Sequence, residues 1–512
     1  MNLVTLLIRV GSMTLLSRIF GFIRDAMMAR IFGAGMASDA FLAAFRIPNL
    51  LRRISAEGAF SQAFVPVFAE YVSLRQPSDT RQLLNCMTTC LGVILVIITV
   101  LGMLAAPWVV MMVAPGFKGD KYQLTVDLLR ITFPYIFFIS LVSLAGSVLN
   151  VFNRFYIPAF TPVWLNICLI ISMIWFAEYF SQPITALAWG VLVGGGVQLA
   201  FQVPFLRQIG MLPRWHWNWR DLGVQRILRL MAPAMLGVSV AQVSLVLNTI
   251  FASFLVVGSV SWLYYADRLM ELPTGVLGAA LSTVLLPNLS KAHALADKTA
   301  YRNLLDWGLR LSVLLATPAA VGLAVLATPL VVTLFNYGRF NIHDVAMTKA
   351  ALIGYSVGLL ALIAIKILAS GFYACQDIKT PVKIGVFALF CTQIFNLILV
   401  FGLKMNHAGL ALAISLGALL NASLLLWALC RNGTYQAQSG WVWFLCKVSL
   451  GLLLMGAALL LTRGDTASWI NYTLWQRLLH LSALLVLGAG VYFITLFAVG
   501  IRLSDYMQKV KY

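Results

Sequence analysis

Stretches of about 20 predominantly apolar residues recur along this chain from one end to the other, and few folds accommodate that. In hydrocarbon every backbone N–H and C=O must be satisfied by the protein itself, so a segment of this length crosses a bilayer as a helix. Fourteen spans are expected, over 3–22, 26–55, 84–113, 125–150, 158–180, 184–206, 226–256, 260–287, 302–335, 345–374, 381–403, 407–430, 441–462 and 476–500. Charges and Gly33-Ala34-Gly35 are the only punctuation of the first two. With 61% hydrophobic and 10% charged residues the chain has no polar coat for a soluble globule and no room for a sizeable soluble domain. The expected class is an all-α integral membrane protein.

The formal charge of +19, from 36 Lys and Arg against 17 Asp and Glu, first suggests nucleic acid. The charges, however, are scattered among spans and form no aromatic-interleaved basic domain, so no nucleic-acid partner is expected. Loops after even-numbered spans hold Arg75, Arg81, Arg154, Arg207, Arg214 and Arg220 among others, whereas loops after odd-numbered spans are poor in Lys and Arg. The positive-inside rule then places both termini in the cytoplasm. Arg9 interrupts the first apolar run, which does not fit a cleavable signal. Seven cysteines form no CxxC, and Cys86 and Cys90, on one helix face, have no His or carboxylate beside them, so no metal is expected.

The chain repeats itself. Leu104-Ala-Ala-Pro107 returns as Leu326-Ala-Thr-Pro329, Pro66 as Pro287, Pro158 as Pro381 and Ala186-Leu-Ala188 as Gly409-Leu-Ala411, at offsets of 221 to 223 residues. Spans one to six are therefore repeated in spans seven to twelve. An even-numbered unit repeats in the same orientation, so two pseudo-symmetric six-helix lobes, 1–222 and 223–435, are expected about an axis along the membrane normal, with substrate between them. Residues 436–512 carry spans thirteen and fourteen, outside the repeat.

Against this apolar background the stretch 17–71 stands out, with Arg18, Arg24, Arg30, Arg46, Arg52 and Arg53 accompanied by Asp25, Asp39, Glu57 and Glu70. Each arginine at mid-bilayer costs about 2.5–3.5 kcal/mol even on the gentlest scale, so several together need a wet cavity, partner charges or the interface. A cationic cavity is a site for an anion. At 100° per residue Asp39, Arg46, Arg53 and Glu57 fall within about 40° of each other and Arg52 lies nearly opposite. Pro48 bends the helix between them, so the wheel leaves Arg52 and Arg53 both open. Arg18 and Asp25 share a face of the first span, with Gly21 a candidate hinge. In the second lobe span eight carries Asp267, Arg268 and Glu271, and Lys366 stands alone in span ten. The competing reading is buried ion pairs that pin helices, with Asp25 and Glu57 compensating the arginines. Guanidinium groups also grip diphosphate bidentately, which favours ligand binding.

Nucleophilic catalysis finds no support, because the five histidines sit singly and no Ser or Cys nucleophile is spaced with them. Without a Walker motif ATP is not the direct energy source. Gly194-Gly195-Gly196 lies inside span six and reads as close helix packing. Arg214-Trp-His-Trp-Asn-Trp-Arg220 resembles a base-stacking platform, yet between two spans it reads as an interfacial aromatic-basic segment.

At Arg24-Asp25, Gly33-Ala34-Gly35, Asp39-Ala-Phe41, Pro48-Asn-Leu-Leu-Arg-Arg53, Ala56-Glu-Gly-Ala-Phe-Ser-Gln62 and Tyr265-Ala-Asp-Arg-Leu-Met-Glu271 the chain closely resembles the MurJ (MviN) family of lipid II flippases, within the MATE-like (MOP) exporter superfamily. Asn153-Arg-Phe and Gln376-Asp-Ile-Lys-Thr-Pro-Val-Lys383 agree, so the resemblance spans essentially the whole chain. It implies a non-enzymatic flippase of the bacterial inner membrane that carries lipid II, an undecaprenyl-diphosphate-linked disaccharide peptide, to the periplasmic leaflet by alternating access, in service of cell-wall synthesis. No cofactor is implied; membrane potential or a coupling cation drives the cycle, and cell-wall synthesis proteins are candidate partners. The family's critical arginines match Arg18, Arg24, Arg52 and Arg268, with Asp25, Asp39, Glu57, Asp267 and Glu271 accompanying; its usual lysine is Arg46 here. The two extra spans are implied to form a groove for the polyprenyl tail. The rivals are a related polyprenyl-diphosphate sugar flippase, a MATE-type drug exporter, against which the arginines argue, and a polyprenyl-phosphate transferase, which lacks an Asp-rich metal loop.

Overall fold

The structure, a computed structural model, describes residues 3–53 and 60–501. Among these residues every regular element is a helix, and eleven helical stretches are long and apolar enough to cross a membrane. The chain divides into two compact units, Met1–Ser261 and Trp262–Tyr512.

The first unit contains α1 (Leu3–Phe32), α2 (Met36–Leu51), α3 (Ser61–Leu74), α4 (Pro77–Leu104), α5 (Ala106–Val113), α6 (Gly119–Thr132), α7 (Tyr135–Val151), α8 (Tyr156–Ile171), α9 (Thr185–Gln208) and α10 (Leu222–Ser253). Helix α1 packs on α8, α2 on α6, α7 and α8 on α9, and α10 on α3, α4 and α5. This places α10 with the first unit, whereas the repeat boundary falls before it.

Boundaries differ from expectation near the N-terminus. Helix α1 does not stop near residue 22; it runs to Phe32, because Arg24 and Asp25 satisfy one another and leave no reason to break. The interruption comes at Gly33, whose φ of 68° only glycine adopts without strain, and the Ser38 hydroxyl donates to the Gly33 carbonyl at 2.7 Å. Pro66 lies inside α3. There Phe60, Phe64 and Phe68 stack at 5.1 and 5.0 Å, and burial of this ladder offsets the hydrogen bond the proline removes. Gly194 and Gly195 let α9 close on Leu165 of α8 and Tyr135 of α7, contacts that a β-carbon at either position would violate.

The second unit starts within α11 (Ser259–Ala294) and continues through α12 (Lys298–Val325), α13 (Ala327–Phe335), α14 (Ile342–Ala374), α15 (Lys379–Asn396), α16 (Asn406–Arg431), α17 (Trp441–Thr462), α18 (Thr466–Asn471) and α19 (Leu474–Ala498). Its tightest seam joins α14 to α16, where the Ser415 hydroxyl donates to the Gly354 carbonyl at 2.7 Å and the Ser415 backbone fills the space a Gly358 side chain would need.

The internal repeat has a local structural counterpart. Breaks at Ala105 and Leu326 divide α4 from α5 and α12 from α13, each just ahead of Pro107 or Pro329. Asn153 and Gln376 both adopt φ 60°, and behind them Arg154 N–H closes on Leu149 O at 2.8 Å as Asp377 N–H does on Phe372 O at 3.0 Å. The linkers after α9 and after α16 are also tied alike. Arg214 N–H donates to Asn85 Oδ1 of α4 at 2.8 Å, and Gln438 N–H to Asp306 Oδ1 of α12 at 3.4 Å. Asp306, 1% exposed, further accepts from Arg310, Tyr435 and Trp441 at 2.7–2.8 Å. Burial and that carboxylate push the Tyr435 phenol far above its ordinary value, so it remains a donor.

Candidate functional site

In the first unit the site begins on α1. Arg24 Nε and Nη2 donate to Asp25 Oδ1 at 2.9 and 2.6 Å, and Nη1 donates to Asn166 Oδ1 of α8 at 2.9 Å. Asn166 Nδ2 in turn donates to the Ser17 carbonyl at 3.3 Å, bridging back one and a half to two turns along α1. Asp25 is 2% exposed, so the Arg24 guanidinium stands where water would otherwise meet its carboxyl. The sequence paired Asp25 with Arg18 by face; Arg18 is instead exposed, and Asp25 meets its chain neighbour. Asn166 was not anticipated. Its signal was a single amide in the otherwise apolar run Trp164-Leu-Asn-Ile-Cys-Leu169.

On α2, Arg46 reaches α10, donating to Leu245 O at 3.4 Å and to the Thr249 hydroxyl. Arg52 follows where the helix widens past Leu51, and its Nε and Nη2 fork onto Asn49 Oδ1 at 3.0 and 2.7 Å. A wheel at 100° per residue does not apply through that wide turn, and both Arg52 and Arg53 are half-buried. Glu57 lies outside the described residues.

Asp39 departs from the expectation of a cavity charge. It is 0% exposed, and its two oxygens accept from Lys121 Nζ at 2.8 Å, Gly258 N–H at 2.8 Å, Ser261 N–H at 2.9 Å and Ser261 Oγ at 2.7 Å. Lys121 also lies 4.0 Å from the Phe117 ring centroid. This carboxylate holds the start of α6 and the Gly258–Ser261 segment; four donors leave it no valence for a ligand.

In the second unit Arg268 pairs with Glu271 at 2.7 Å, the i,i+3 contact the sequence suggested, and lies 4.9 Å from the Tyr264 ring centroid. The pair is accessible, at 31% and 52% side-chain exposure, and Asp267 beside it is half-buried. Lys366 joins this face: Nζ donates to the Thr274 carbonyl at 3.2 Å and the side chain packs where Gly278 lacks a β-carbon. Arg268, Glu271, Thr274 and Gly278 follow at i,i+3 or i,i+4 along α11, so the isolated lysine of the sequence belongs to the arginine's face. Among the described residues no three His, Cys, Asp or Glu side chains are grouped to hold a metal ion. The chemistry available is charge and hydrogen-bond donation, suited to phosphate oxygens.

The family model described as "Lipid II flippase MurJ" matches residues 28–480. The lipid II flippase of Burkholderia cenocepacia is 47% identical over the full length of both chains. A probable lipid II flippase of Haemophilus influenzae is 43% identical, covering 97% of this chain and all of that one. The solved structure of a lipid II flippase in an inward closed conformation superposes with a TM-score of 0.80 at 27% identity, over 95% of this chain and 98% of that one. An inward-facing multidrug-resistance MATE transporter shares the fold, with a TM-score of 0.70 at 15% identity over 83% of this chain and 97% of that one. By model, identity and coverage together, the chain belongs to the MurJ family of lipid II flippases.

Proposed function

We infer that this protein flips lipid II from the cytoplasmic to the periplasmic leaflet by alternating access, a transport step and not a bond-making reaction. The observation that carries this reading is the 47% identity to the Burkholderia cenocepacia flippase over the entire length of both chains. The drug-exporter alternative has support from fold alone, at 15% identity. We further propose fourteen spans arranged as repeats over 1–222 and 223–435 with an added pair in 436–512, a location in the bacterial inner membrane and cytoplasmic termini; the repeat and the Lys/Arg distribution support this reading.

The proposed ligands of the diphosphate-sugar head are Arg18, Arg24, Arg52 and Arg268. Arg24 is held by Asp25 and Asn166 and Arg52 by Asn49, which fixes the direction of each guanidinium before cargo arrives. Glu271 on Arg268 supplies competition for the same donors, so phosphate is gripped reversibly. An anionic head leaving a negative cytoplasm gains about 2.3 kcal/mol per net charge per 100 mV, enough for the membrane potential to drive export. The decisive experiment is depletion of the protein in cells followed by assay of which leaflet holds the lipid-linked precursor; accumulation in the cytoplasmic leaflet is expected. Replacing Arg18, Arg24, Arg52 or Arg268 by Ala should abolish complementation with the protein folded, and growth of all four variants as sole copies would overturn the site.

A further inference from the structure

The segment that joins α9 to α10 takes no part in the chemistry above. Beyond Gln208 the chain turns at Gly210, φ 69°, and Met211 N–H closes on Leu206 O at 2.9 Å. It then runs along α4: Arg214 N–H donates to Asn85 Oδ1 at 2.8 Å and His216 N–H to Thr89 Oγ1 at 3.0 Å. Alternate amides that point one way mark an extended backbone, whose side chains alternate between two faces. Asn85 and Thr89 stand one helical turn apart, about 6 Å, which two extended residues also span, so α4 sets the register.

That register puts Trp215 and Trp217 on one face, and Trp219, in the turn that follows, meets Trp217. The three residues are 77%, 53% and 44% exposed, and the rings of Trp217 and Trp219 stack at 6.3 Å. Arg214 and Arg220 flank them, exposed, and Arg81, one turn before Asn85 on α4, brings its guanidinium beside Gly210.

We propose that this tryptophan ribbon is a binding site for anionic phospholipid at one membrane surface, with the indoles at headgroup depth and Arg81, Arg214 and Arg220 on the phosphodiesters. Helices α4 and α9 are long and apolar enough to cross the bilayer, and the first indole, Trp215, comes seven residues beyond the end of α9 at Gln208, which suits the interfacial level where indole partitions best. Guanidinium pairs with phosphate oxygens bidentately. The amides of Trp215 and Trp217, directed away from α4, add backbone donors to the same oxygens. A single-stranded nucleic acid would need these rings clear of the membrane, and the hydrogen bonds to Asn85 and Thr89 hold them against α4 where its polar first turns give way to the apolar run from Leu91 onward. The proposal requires only that α4 and α9 span the bilayer and is independent of the cargo assigned above.

The test uses the full-length protein in nanodiscs of phosphatidylcholine with or without phosphatidylglycerol. Bromine-labelled lipids brominated near the glycerol should quench wild-type tryptophan fluorescence more than that of a Trp215→Phe, Trp217→Phe, Trp219→Phe variant, which removes three of the 14 tryptophans. Native mass spectrometry of lipid retained from the mixed discs should show a phosphatidylglycerol preference that falls up to about fivefold for each of Arg81, Arg214 and Arg220 replaced by Gln. Those surface changes leave the core intact, so a folded variant is available whichever way the tryptophan variant behaves. Equal quenching of wild type and variant means that the indoles face water or another macromolecule and overturns the proposal, as does a lipid preference unchanged in the arginine variants.

Discussion

The enclosed pair of Asp39 and Lys121 yields the sharpest test of what the charges do. Replacing Asp39 by Ala strands Lys121, 9% exposed, and leaves the Gly258 and Ser261 donors without their acceptor. Breaking a buried pair from one side costs about 3–5 kcal/mol, and each lost bond to a charged group about 1.5–3 kcal/mol, so destabilisation at or above the upper end of the first range is expected. Lys121→Met alone should cost less, because Asp39 retains three donors from Gly258 and Ser261. The double variant should then fall short of the sum by about 2 kcal/mol or more, since it no longer buries a lone charge. Unfolding free energies from SDS titration in mixed micelles provide the cycle. Additivity within about 0.5 kcal/mol would refute the enclosed pair, and a well-folded Asp39→Ala protein that loses only lipid II binding would return Asp39 to the cargo site.

Three further outcomes follow from the geometry. Asn166→Ala removes the acceptor of Arg24 Nη1, and if that contact orients the arginine, lipid II affinity should fall about 10-fold, from a bond of roughly 1.5 kcal/mol, with expression unchanged; equal affinity in a binding titration denies Asn166 that role. Asp306→Ala strips the acceptor of Tyr435 and Trp441, so limited proteolysis should cut the linker between α16 and α17 faster than in wild type, and an unchanged rate would mean that other contacts hold it. The Thr380 hydroxyl and N–H hold the Asp377 carboxyl below its ordinary value. A depressed carboxylate stabilises above the unfolded value, about 3.9, and that stabilisation is lost as pH falls through the folded one. The melting-temperature gap between wild type and Asp377→Asn should therefore be constant above about pH 5 and shrink below it.

What the sequence made legible was whatever depends on local period. The apolar runs marked the helices, and the repeated motifs aligned the places where breaks at Ala105 and Leu326 and left-handed turns at Asn153 and Gln376 occur, although the spans expected over 84–113 and 302–335 ran unbroken through the first two. Arg268 and Glu271 were legible because their contact is local to one helix. The partners of Asp39 were not: Lys121 is 82 residues away and Ser261 222, and a helical wheel gives a face without saying what that face meets. Asn166 escaped for the same reason. The end of α1 was misplaced because charges were read as punctuation, whereas Arg24 and Asp25, bonded to each other, pass through the helix without interrupting it.

The two posts that catch the linkers, Asn85 on α4 and Asp306 on α12, bear on how the last helices are anchored. Each receives a backbone amide from a linker, the one after α9 or the one after α16, and beyond each linker the next helix settles on the post's own helix: α10 against α4, α17 against α12. Helix α17 thus stands to the second half as α10 stands to the first. What lies beyond residue 435 is thus moored at its start by the device that holds the chain beyond α9, a side-chain oxygen on the helix it then packs against.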